Sequence, residues 1–135
     1  MNHIPFALLT LCLSVFLTPT GRGSEAPDIK LETANGWIIH VHSDVSPLRI
    51  NEMHSWQIKV LDSKSEPVTN ASISVEGGMP DHDHGLPTRP RVTSEIAPGT
   101  YLLRGVRFHM PGKWECKFVI TAGTRQEIGL ANFEL

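Results

Sequence analysis

Cysteine is scarce in this chain, which has two in 135 residues, Cys12 and Cys116. Cys12 sits inside an N-terminal apolar run behind Leu11, a poor setting for lipid attachment. Once that run is removed, Cys116 has no partner and an internal disulfide is excluded. A lone thiol in an oxidising compartment is buried, metal-bound, or paired with another molecule. An excess of basic charge is missing too: Lys and Arg number 12 against 14 Asp and Glu, for a net charge of −2 at pH 7. The basic residues form no stripe interleaved with aromatics, which argues against a nucleic-acid partner. No segment combines a helical period with caps. Internal repeats are absent, and the leader is the only low-complexity stretch.

The longest apolar run, Ile4 to Leu17, is about 14 residues, short of the roughly 18 to 20 that span a bilayer. It is followed by Thr18-Pro19-Thr20-Gly21-Arg22-Gly23, small and turn-forming, with Gly21 and Gly23 at the −3 and −1 positions of a cleavage site before Ser24. Residues 1–23 therefore read as a signal peptide and residues 24–135 as one exported domain, periplasmic or secreted, long enough for a single core. A membrane association is expected only if the N-terminal segment is retained. Loss of Arg22, the only charged residue in the leader, moves the formal charge from −2 to −3.

The dominant period in the remainder is two. In Trp37-Ile38-Ile39-His40-Val41-His42, Trp37, Ile39 and Val41 share one face and His40 and His42 the other. His54-Ser55-Trp56-Gln57-Ile58-Lys59-Val60-Leu61 sets Trp56, Ile58 and Val60 against Ser55, Gln57 and Lys59. Ala71 to Val75, Tyr101 to Phe108, Trp114 to Ile120 and Glu127 to Leu135 add further runs, with shorter ones at Lys30 to Thr33 and Arg91 to Thr93. About seven or eight strands with closely spaced turns predict an all-β, immunoglobulin-like antiparallel sandwich. Cys116 alternates with Trp114, Phe118 and Ile120, so its thiol belongs to the apolar face.

The chemistry concentrates in Gly77-Gly78-Met79-Pro80-Asp81-His82-Asp83-His84-Gly85-Leu86-Pro87. Its glycines and prolines predict a connection, the longest loop of the fold. His82 and His84 are spaced i, i+2, which in an extended backbone directs both rings to one side and Asp81 and Asp83 to the other. Glycines on both sides allow Met79 to fold over the same point. Thioether with imidazole is the donor set that selects copper, most clearly Cu(I), whereas a calcium loop would turn its carboxylates inward. The same donors also fit a plain polar loop. Met53-His54 and His109-Met110 lie at strand ends, where a sandwich gathers residues distant in sequence, so His54 and His109 are candidate additional ligands, while Met53 and Met110 serve equally well as core filler. His40 and His42 stand mid-strand with no sulfur neighbour and read as polar surface.

Catalysis is not expected. There is no nucleophile elbow, and a hydrolytic zinc site needs three protein ligands with an open fourth position. No histidine stands at the expected mature N-terminus to chelate copper as an oxygenase does.

The series Met53-His54-Ser55-Trp56, Glu66-Pro67-Val68-Thr69-Asn70-Ala71, Gly77-Gly78-Met79-Pro80-x-His82-x-His84-Gly85-Leu86-Pro87-Thr88, Gly99-Thr100-Tyr101 and Phe108-His109-Met110-Pro111-Gly112-x-Trp114 resembles the YtkA-like family of exported bacterial domains. The likeness covers about Pro47 to Ile120, with Met-Pro-x-His-x-His-Gly its most specific part. It implies a β-sandwich related in pattern to FixH, a membrane-tethered factor linked to assembly of copper-dependent oxidases; this chain lacks FixH's full membrane span. It carries over Met79, His82 and His84, and more weakly His54 and His109. The expectation is an exported copper-binding module that hands its ion, Cu(I) or Cu(II), to an envelope partner or sequesters it. The alternative is a metal-free interaction or accessory module of the cell envelope.

Overall fold

The computed structural model describes residues 28–135. The expected leader and its cleavage point lie outside them. Nine strands run in the order β1 (Ile29–Glu32), β2 (Ile38–Ser43), β3 (His54–Leu61), β4 (Ser72–Met79), β5 (His84–Gly85), β6 (Arg91–Ala97), β7 (Thr100–Val106), β8 (Lys113–Ala122) and β9 (Arg125–Glu134). They form two antiparallel sheets, β1-β2-β3-β7-β6 and β5-β4-β8-β9, packed face to face. The chain is an all-β sandwich, as the alternation predicts.

The period-two residues meet in the middle. Ile39, Val41, Trp56, Ile58, Val60 and Leu103 of the larger sheet face Phe118, Ile120, Val75 and Ile73 of the smaller one, all buried. Trp56 stacks on Phe118 across the gap, with ring centres 6.1 Å apart. Removing each such side chain from water stabilises the fold by about 1.5–3 kcal/mol. Cys116 is fully buried among them, and desolvation pushes its thiol up to about 12, so it is inert.

A polar clip closes the sandwich. The Tyr101 hydroxyl donates to the Val68 carbonyl at 2.6 Å and accepts from the Ala71 N–H at 2.9 Å, tying β7 to the connection that leads into β4. Burial holds this phenol above its ordinary range.

The fifth strand is where sequence and structure differ. β4 runs through both glycines to Met79, and His84–Gly85 returns alongside as β5, pairing Met79 with His84 and Gly78 with Gly85. The segment expected as a long loop is a hairpin, because the glycines permit close approach where a side chain would obstruct: a Cβ on Gly77 would lie 2.7 Å from Leu86, which folds back over it.

Candidate metal centre

Antiparallel pairing brings the ends of several strands to one pole. β3 starts there with His54 opposite Val106 at the end of β7, β4 ends there at Met79, and β8 starts there with Lys113 opposite Glu134. Phe108, fully buried, holds the two sheets together at this end. Its ring lies 5.0 Å from Trp114, 5.4 Å from Phe133, 5.8 Å from His54 and 6.1 Å from Trp56.

On this aromatic floor three imidazoles form a row. His82 and His84 have ring centres 6.2 Å apart, and His84 and His109 6.1 Å apart, edge to face. His109 comes from the connection between β7 and β8, so the row joins both sheets, and it packs on Trp114 at 5.8 Å. A metal–nitrogen distance of about 2.0 Å puts two rings that share an ion about 5 to 6.5 Å apart. Each neighbouring pair falls within that range. His82 and His84 are exposed, whereas His109 is half-buried and its Nδ1 is shielded without a hydrogen-bond partner among the described residues.

Met79 lies beneath, 3% exposed. Directly opposed residues of an antiparallel pair share a face, so its side chain leaves β4 on the same side as that of His84 leaves β5. The thioether methyl sits under the β7–β8 connection, 3.1 Å from where a Cβ on Gly112 would stand. Backbone bonds between Gly112 and Leu135 at 2.7 and 3.0 Å fix that connection.

His54 is placed differently. It is 3% exposed, with Trp56 and Phe108 as its ring neighbours at 6.0 and 5.8 Å. Its Nδ1 is 3.0 Å from the Glu52 carbonyl, which can only accept, so Nδ1 donates and, in the neutral ring, Nε2 is the unprotonated nitrogen, buried with no partner among the described residues. That is the tautomer arrangement of a metal-ligating histidine. Met53, by contrast, is 56% exposed and fills no core gap, while Met110 packs partly against the core and its carbonyl accepts from Trp114 Nε1 at 3.0 Å.

The acidic residues depart from the expected alternation. Residues 80–83 form a turn closed by the His82 N–H on the Met79 carbonyl at 3.1 Å, so the two-residue rule does not govern them. Asp83 lines the same open depression, about 350 Å³, as Met79, His82 and His84. Glu115 of β8 lines it as well, a residue that sequence reasoning passed over because only the sheet pairing with Gly78 brings it near. The two carboxylates make the depression attractive to a cation. Among the described residues no three His, Cys, Asp or Glu side chains stand at the spacing of an assembled metal shell.

Two antiparallel sheets packed face to face, with no helix among the described residues, define the class as an immunoglobulin-like β-sandwich. The YtkA-like family model matches residues 31–119, and the chain belongs to that family. A DUF4426 family protein from Pseudomonas aeruginosa of known crystal structure is similar in fold, at 15% identity and a TM-score of 0.56, covering 80% of this chain and 96% of that one. No curated protein matches.

Proposed function

We propose that this protein is an exported copper-binding module, periplasmic or secreted, that carries the ion to an envelope partner or sequesters it. The observation behind this reading is the convergence at one pole of a buried thioether, a row of three imidazoles, and two shielded ring nitrogens, His109 Nδ1 and His54 Nε2, that lack hydrogen-bond partners. A buried polar atom without a partner is costly, and an ion compensates it. His82, His84 and His109 supply nitrogen, Met79 sulfur, and His54 a reserve donor from the aromatic layer. Sulfur with imidazole favours Cu(I). Because His82 and His84 are exposed on a turn and a two-residue strand, they can close on an ion and release it, which a carrier requires.

The test is titration of the purified chain with Cu(I) under anaerobic conditions and with Cu(II). One equivalent is expected to bind, and the His82→Ala/His84→Ala double substitution to weaken binding by more than about tenfold, since even outer-sphere partners of metal ligands are worth 10–100-fold. Unchanged stoichiometry and affinity in that variant would overturn the reading. The absence of an assembled shell among the described residues favours a second one, a metal-free interaction module using the same pole, which predicts no bound metal and a loss of stability alone in the double variant.

A further inference from the structure

The outward face of the five-stranded sheet carries charge of nearly one sign. Cross-strand register aligns Lys30, His40 and Lys59 in one row across β1, β2 and β3. A second row holds His42, Gln57 and Leu102, and a third Ser55, Arg104 and Arg91 across β3, β7 and β6. His40, His42, Lys59 and Arg104 point away from the core, because their strand neighbours Ile39, Val41, Ile58, Val60 and Leu103 are buried, and Lys30 and Arg91 share that face through direct pairing with His40 and Arg104. Lys30, Lys59, Arg91 and Arg104 are exposed.

Among the described residues these cations have no ion-pair partner; the ion pair there is Arg49 with Glu52, elsewhere. Among the described residues the one carboxylate on the face itself is Glu32, at a corner. At the rim, Asp28 accepts from Ser43 N–H and Ser46 Oγ, Asp44 from Ser55 N–H, and Glu95 from the N–H groups of Asn70 and Gly99. These carboxylates are held by backbone N–H groups and, for Asp28, by the Ser46 hydroxyl as well. The protein as a whole has a net charge of −2, so this positive face is a segregation of charge and not a reflection of composition.

We infer that this face docks on anionic phospholipid headgroups at a membrane surface. Neighbouring strands are about 4.8 Å apart, so Lys30 and Lys59 are anchored about 10 Å from one another, and the Arg104 row lies about four residues, some 13 Å, along β7. Groups so spaced cannot close on a single phosphate. A lipid array, with a headgroup beneath each, meets all of them at once. Half-buried Ile38, Leu61 and Leu102 lie among the charges and give the face an amphipathic character suited to the headgroup boundary. The docking is independent of any metal at the pole, which lies at the strand ends and stays open when this face is covered.

The experiment is co-sedimentation of the purified chain with vesicles of phosphatidylcholine, pure or containing one third phosphatidylglycerol. Binding is expected to be at least about tenfold stronger to the anionic vesicles, to fall steeply with added salt, and to drop at least about tenfold on Lys59→Glu/Arg104→Glu. Lys64→Glu, an exposed cation on the β3–β4 turn, is the control and leaves binding nearly intact, while Lys59→Arg/Arg104→Lys retains it in full. Equal binding to both vesicles, salt-independent binding, or equal loss in Lys64→Glu and the double variant overturns the inference. So does failure to bind vesicles when the same face captures immobilised polyglutamate, which assigns it to an acidic protein. Should the charge-reversed variant not fold, the lipid comparison and salt titration on the unmodified chain decide the matter.

Discussion

Met79 and His84 stand directly opposite each other across the β4–β5 hairpin, the thioether 3% exposed and the imidazole in solvent. The pair places a soft donor just inside the sandwich and a borderline one just outside it, on one face of the ladder. Met79→Leu keeps volume and apolarity, so its cost in stability is expected to stay below about 1.5 kcal/mol. Binding should respond selectively: Cu(I) affinity falls while Cu(II) affinity, carried by nitrogen, changes little. Parallel titrations with the two ions check this, and equal losses would remove Met79 from the donor set.

Gly112 covers that thioether. Its φ of 121° is a conformation that other residues adopt at a cost of about 1–3 kcal/mol, and an added Cβ would stand 3.1 Å from the Met79 methyl. Gly112→Ala is expected to lower stability by an amount in that range, measured by urea denaturation. Because the connection also carries His109, copper affinity is expected to fall with it.

Tyr101→Phe removes the hydroxyl and strands two groups, the Val68 carbonyl and the Ala71 N–H. Orphaned buried partners cost about 1–3 kcal/mol. The expected outcome is a loss of that size in chemical denaturation with the same strand content by circular dichroism. A neutral result would mean the clip is replaced by solvent.

His40 links stability to pH. Burial first, then the neighbouring Lys30, Lys59 and His42, hold its imidazole below the ordinary histidine range. The unfolded chain takes up the proton more readily, near its ordinary pKa of about 6.5. Stability from this group is therefore full above that value, declines as the pH falls through it, and levels off below the depressed native pKa. In His40→Gln the decline from about pH 7 downward is expected to be shallower, as unfolding curves at a series of pH values will show. An unchanged slope would mean that His40 does not carry the linkage.

The candidate donors were legible in the sequence as residue types, and the sandwich as period-two runs such as Trp37 to His42 and His54 to Leu61, since alternation is a local property of a half-buried strand. The hairpin at Met79 to Gly85 was not, because glycines and a proline signal irregular backbone whether or not a strand finds a partner across them. Glu115 was invisible for a related reason: it reaches the depression lined by His82 and His84 only through the pairing of β8 with β4.

By itself the sequence determined the alternation, the buried face of the long strands β2, β3 and β8, the burial of Cys116 and the supply of soft and imidazole donors. Only the tertiary structure decided which of these meet. Register and strand order are long-range choices, and they put His109 of the β7–β8 connection against His84 of β5, sent His54 inward to the aromatic layer, and gathered Lys30, Lys59, Arg91 and Arg104 from four strands onto a single face.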